Sequence, residues 1–153
     1  MQMLVKDIVK ACNGVLLCGD PETVITSVET DSRLIEPGAL FVPIIGQKTD
    51  AHQYIQQTFD KGAVAALTQE HTSMKDSAHR WIYVEQTQDA LQQIATVYRN
   101  QFQVPVVGVT GSVGKTSTRE MIALALSAEK NVMQTKGNSN SQIGLPLTMF
   151  QFE

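Results

Sequence analysis

Val104-Pro105-Val106-Val107-Gly108-Val109-Thr110-Gly111-Ser112-Val113-Gly114-Lys115-Thr116 is the stretch on which the fold turns. Its first six residues form a short, almost wholly apolar run. Such runs suit a central parallel strand buried on both faces. A glycine loop follows, then helical spacing from about Lys115 to Ala128, then a second short strand near Val132 to Gln134. That order predicts one βαβ unit of a doubly wound parallel sheet. It is also the order needed to cradle phosphate. Small residues let backbone N–H groups approach the anion, and a helix N-terminus adds a favourable dipole. Lys115 can reach the β- and γ-phosphates of ATP, and the Thr116 hydroxyl can ligate Mg²⁺. The candidate nucleotide site is therefore Gly111, Ser112, Val113, Gly114, Lys115, Thr116 and Ser117, with Lys115 in the catalytic role and Thr116 as metal ligand. The usual spacing places a glycine six residues before the lysine. Here that position is Val109, so the loop is a compact variant. A glycine turn with a chance lysine is the bland alternative; the strand before and the helix after argue against it.

Upstream, Leu4, Val5, Ile8, Val9 and Cys12 form one apolar stripe, predicting a helix over 4–12 that Asn13-Gly14 stops. Val15 to Cys18, Val24 to Val28, Ala39 to Ile45, Ala63 to Leu67 and Trp81 to Val84 read as strands. Asp50 is a plausible N-cap for a helix through Asp60. Residues 69–80 are polar and loop-like. These parts make a small α/β unit over residues 1–84, large enough for a modest core. Leu91, Ile94, Ala95, Tyr98 and Phe102 then recur at helical spacing and open the second unit, 85–153, which holds only the beginning of a glycine-loop domain. The chain is expected to be the front part of a larger protein.

Composition narrows the function. The chain has 153 residues, 42% hydrophobic and 18% charged, with a net charge of −3 and no basic stretch, so nucleic acid is a poor default partner. Two cysteines, Cys12 and Cys18, cannot form a disulfide framework and read as buried free thiols. Charged residues in the first turns exclude a signal peptide, and no apolar run is long enough to insert in a membrane. A cytoplasmic location fits. His52, His71 and His79 show no metal-ligand spacing; His71 and His79 are expected to be solvated. Three function classes remain open on these grounds: an ATP-dependent ligase, a P-loop kinase or NTPase, and a non-catalytic nucleotide-binding module.

Several segments together resemble the Mur ligase family. They are Val109 to Thr116, Gly137-Asn138-Ser139-Asn140-Ser141-Gln142-Ile143-Gly144-Leu145-Pro146-Leu147-Thr148, Thr30-Asp31-Ser32-Arg33, Pro37 to Val42, and Gly46 to His52. The run from Gly137 is similar to that of members that add D-alanyl-D-alanine. The resemblance implies a UDP-substrate domain followed by an ATP domain. It also implies an ADP-forming ligase of peptidoglycan precursor synthesis, joining D-alanyl-D-alanine to UDP-N-acetylmuramoyl-tripeptide through an acyl phosphate. It implies substrate contacts at Ser32, Arg33, Asp50, His52, Asn138 and Asn140 as well. ATP and Mg²⁺ are the cofactors it implies, and a monomer the state of the whole enzyme. No residue here reads as a general base, and Glu120, one turn into the helix, is expected to face solvent. This stretch alone is therefore expected to be inactive, with open sheet edges that favour self-association.

Overall fold

A computed structural model describes residues 1–71, 73, 78–135 and 141–152. Strand β1 (Met3–Leu4) leads into helix α1 (Val5–Ala11), β2 (Val15–Cys18), β3 (Val24–Ile25), β4 (Ser27–Glu29) and β5 (Ala39–Phe41). A 3-10 turn (Ala51–Tyr54) and α2 (Ile55–Asp60) precede β6 (Ala65–Thr68), β7 (Arg80–Tyr83) and α3 (Thr87–Arg99). Helices α4 (Lys115–Ser127) and α5 (Gly144–Met149) complete the described elements.

Five strands form one sheet in the order β2-β7-β6-β5-β4. Its four-strand run from β4 to β7 is parallel, and β2 closes the β7 edge antiparallel. Alternation along the strands builds two cores. Leu40, Ala65, Leu67 and Ile82 point to the side covered by α1 and α3. Phe41, Ala66 and Trp81 point to the other, where Ile55 and Phe59 of α2 lie. A parallel sheet covered on both faces is the arrangement expected of strands this apolar.

The predicted 24–28 strand is two strands. At Thr26 the chain leaves one ladder for another: β3 pairs with β1, β4 pairs with β5, and the Thr26 N–H bonds the Gly38 carbonyl. Asp50 caps its helix as expected, through the His52 N–H, although the first turn is 3-10. Helix α3 buries Ala90, Leu91, Ile94, Ala95 and Tyr98.

Two expectations fail. Residues 104–109 and 132–134 are not strands; they run as irregular chain, with Val106 and Val107 each 60% exposed. A parallel strand is held by its neighbours' ladders. Among the described residues no strand lies beside either segment, so the βαβ unit is present only as its loop and helix. Most of the predicted α4 forms, but only Ala123 on it is buried. Helix α5 carries no expectation from the sequence. Pro146 sits in its first turn, where the missing N–H has no helical acceptor to lose, and Ser141 Oγ accepts the Gly144 N–H at 2.9 Å. Helix α5 docks on α3: Gln142 bonds Gln88 and Gln92, and the Tyr98 hydroxyl donates to the Phe152 carbonyl at 2.7 Å.

The two histidines expected in solvent are half-buried instead. His79 stacks on Phe59 with ring centroids 4.1 Å apart, and His71 meets the Trp81 ring edge-on. Cys12 is buried and Cys18 half-buried, both free.

Candidate functional site

The glycine loop heads α4 as the motif requires. Gly114 takes the left-handed conformation (φ +78°) as the residue before the helix, and Gly111 is at φ +151°. An L side chain is strained at Gly114, which explains a glycine there. Space around the loop is open: a Cβ on Gly108 would meet nothing within 4 Å, and one on Gly111 only a carbonyl at 3.6 Å. Lys115 is exposed, and its Nζ donates to the Gly111 carbonyl at 2.6 Å. The amine thus already lies across the loop, where an anion would offer it a better acceptor than a neutral carbonyl. Ser112, Val113, Thr116 and Ser117 are all exposed beside it. Glu120 is exposed too, as expected, 3.9 Å from Arg119.

Arg33 sits in a tight turn after β4. Its Nε and Nη2 reach both oxygens of Asp31, at 2.9 and 2.6 Å, and its own N–H bonds the same carboxylate at 2.9 Å. Those bonds, with the guanidinium's charge, hold the Asp31 carboxyl at about 2. One edge of the guanidinium is therefore spent within the turn. The side chain stays 83% exposed, and Nη1 has no partner among the described residues. Lys61, a residue the sequence gave no reason to select, donates to the Ser32 carbonyl at 2.7 Å and braces the turn from 29 positions away.

Asp50 and His52 meet directly. His52 Nδ1 lies 2.6 Å from Asp50 Oδ1, and the same oxygen accepts the His52 N–H at 2.9 Å. The imidazole is 1% exposed, the carboxylate 37%. His52 Nε2 accepts the Gln69 N–H at 3.3 Å, so the ring proton belongs on Nδ1 and the imidazole is neutral. Burial pushes the Asp50 carboxyl up, but the two His52 donors outweigh it and leave it below its ordinary range. Gln69 and Thr87 complete this corner: the Thr87 hydroxyl donates to the Pro43 carbonyl, and the Thr87 N–H bonds the Gln69 side-chain carbonyl at 3.1 Å. Spacing gave no signal for Gln69, since it meets His52 only across the sheet.

The 42–52 loop and Gln69 follow the carboxyl ends of β5 and β6, the edge where open parallel sheets bind ligands. The structure thus joins Asp50 to His52 and Asp31 to Arg33, while no hydrogen bond links the two pairs to each other among the described residues. Asn138 and Asn140 lie outside the described residues. Glu70 offers a third ligand atom near Asp50 and His52. Both His52 nitrogens are already engaged, however, so this group is not a prepared metal site.

Comparison with known proteins agrees in order along the chain. The Mur ligase family catalytic domain matches residues 24–99, and the Mur ligase middle domain matches 109–153. A UDP-N-acetylmuramoyl-tripeptide–D-alanyl-D-alanine ligase of Bacillus subtilis (strain 168) is 40% identical over 146 residues, covering 95% of this chain and 32% of that protein. A crystal structure of MurF from Acinetobacter baumannii superposes over 100% of this chain and 34% of its own, with TM-score 0.89 and 29% identity. The MurF ligase from Thermotoga maritima in complex with ADP does so over 83% and 29%, with TM-score 0.75 and 33% identity. The chain spans about a third of the length of these relatives. No helix among the described residues is long and apolar enough to cross a membrane.

Proposed function

This chain belongs to the Mur ligase family, and we propose that it supplies the UDP-substrate domain and the opening of the ATP domain of a UDP-N-acetylmuramoyl-tripeptide–D-alanyl-D-alanine ligase, working in the cytoplasm. The supporting observation is the phosphate loop at the head of α4, with Lys115 laid across it, in a chain matched over 95% of its length by a ligase of that name. A kinase or a non-catalytic nucleotide module would account for the loop but not for the 24–99 match.

The loop fits a nucleotide's phosphates: its glycines leave the backbone amides approachable, and the helix start favours negative charge. ATP, when bound, supplies the phosphoryl group that converts a peptide carboxylate to an acyl phosphate, which the dipeptide amine then attacks. Lys115 would exchange the Gly111 carbonyl for a phosphate oxygen and neutralise charge there. Thr116 is the proposed Mg²⁺ ligand. Such transfer needs positioning and charge neutralisation more than covalent help, which agrees with the lack of a general base near the loop. We place the junction of the two units near residue 84. Helix α3 serves both, with its buried face in the N-terminal core and α5 docked on it.

For the UDP end we assign Ser32, Arg33 and the Gly46 to His52 loop. The exposed Nη1 of Arg33 suits a diphosphate oxygen, and Asp31 sets its direction. The test is calorimetry of UDP-N-acetylmuramoyl-tripeptide with the chain and with Arg33→Ala. Loss of one charge-assisted bond, about 1.5–3 kcal/mol, predicts roughly ten- to hundredfold weaker binding. Equal affinity in the two proteins would refute the assignment.

A further inference from the structure

The Asp50–His52 pair carries more than a place in a substrate loop. We infer that His52 is a positioning residue: it never touches the ligand, and instead fixes Asp50 and through it the exposed loop from Gly46 to Thr49.

The geometry argues this in three steps. First, His52 is unavailable. Its side chain is 1% exposed and both ring nitrogens are engaged, Nδ1 with Asp50 and Nε2 with the Gln69 N–H. Second, what His52 holds is the closing residue of the loop. Asp50 bridges Ile45 across the loop base, and inside it the Gly46 N–H bonds the Thr49 carbonyl at 2.9 Å. Asp50 Oδ1 takes both His52 donors, so its χ1 and χ2 are fixed by one neighbour. Third, the other end of the imidazole is anchored to sheet. Gln69 directly follows β6, whose Ala65, Ala66, Leu67 and Thr68 are all buried. The ring therefore transmits the position of a rigid strand end to a polar loop whose residues 46–49 are exposed. Sequence motif and burial point the same way: an exposed ligand-contacting histidine would not be walled in on both nitrogens.

This rests on the proposal that the loop contacts the UDP substrate, and the experiment separates the two. Asn places an amide N–H near the position of Nδ1; Gln places its amide near Nε2. His52→Asn keeps the donor to Asp50, while His52→Gln loses it. Two measurements are made on the chain: amide exchange of Gly46 without ligand, and calorimetric affinity for UDP-N-acetylmuramoyl-tripeptide, with Arg33→Ala as control. In His52→Gln, Gly46 exchange should be about tenfold faster and affinity about tenfold weaker, the scale of one lost charge-assisted bond. In His52→Asn, both should stay within about threefold of the parent. Equal losses in both variants would overturn the inference and reduce His52 to ring packing; unchanged Gly46 exchange in His52→Gln would overturn it outright. If exchange behaves as expected but affinity is the same in every variant, Arg33→Ala included, the UDP assignment falls and the hold of His52 on the loop stands.

Discussion

Phe150→Ala tests whether the Gly137 to Thr148 run is carried by the N-terminal unit. Helix α5 has six residues, far too short to persist without tertiary contacts. What holds it is docking on α3. Phe150 is 7% exposed in the main core with its ring 5.8 Å from that of Tyr98, and Phe152 packs on Phe102 and accepts the Tyr98 hydroxyl. Truncating a buried Phe to Ala costs about 3–5 kcal/mol when the cavity stays open. Phe150 lies at the rim of the core, where neighbours can close in, so the lower figure applies. About 3 kcal/mol is roughly a hundredfold in an opening equilibrium, and for a peripheral element that is a large share of its local stability. Hydrogen exchange reads it directly. The Leu145 and Leu147 amides, bonded to Ser141 and Ile143, should exchange about a hundredfold faster, while β6 amides keep their protection. Equal acceleration in β6 would mean that Phe150 supports the whole fold and that α5 is no separable element. No acceleration in α5 would mean that the Tyr98 and glutamine bonds hold it without the ring.

Lys115→Ala should leave the melting temperature nearly unchanged, since an exposed side chain leaves no cavity and surface changes stay within about 0.5 kcal/mol; in the complete ligase it should abolish phosphate release, and near-parental turnover would refute the phosphate role. The Asp31 carboxyl, followed by NMR, should titrate near 2 and move up toward its ordinary value in Arg33→Ala. Because the folded value is depressed, whatever the pair contributes is complete above the unfolded value near 3.9 and fades only as pH falls through about 2, so substrate affinity should show no step from this group between about pH 5 and 8. Alkylation should modify half-buried Cys18 well before Cys12, whose thiol burial pushes up; mass mapping that finds Cys12 modified first would contradict the packing of α1.

Local pattern was enough for elements whose stability is amphipathic. The stripe of α3, the apolar runs of β5 and β6, and the Asp50 cap are properties of a dozen residues or fewer, and each lies where spacing puts it. Residues 104–109 show the limit. Their sequence suits a central strand as well as Ala65 to Thr68 does, yet only the latter has ladders on both sides. A strand is a relation between segments, and apolarity declares the need for a partner without supplying one. Helix α5 hid for the opposite reason: Pro146 reads as a breaker unless it is known to fall in the first turn.

The candidate site divides along the same line. Its chemistry-bearing residue types were visible because motif spacing is local: Lys115 after Gly114, Arg33 two past Asp31, His52 two past Asp50. What each side chain does depends on groups that only folding brings near. Arg33 spends one edge on Asp31 and keeps Nη1 outward, whereas His52 spends both nitrogens and keeps nothing. Taken as a residue type, His52 looked like the better ligand contact of the two, being uncharged and able both to give and to accept. Burial reverses that order. A group that is 1% exposed with both polar atoms satisfied can act on a ligand only through what it holds, while one that is 83% exposed and half-paired can bind without first breaking a native bond. That difference places the direct contact with Arg33 and makes the loop before His52, not His52 itself, the surface that meets the substrate.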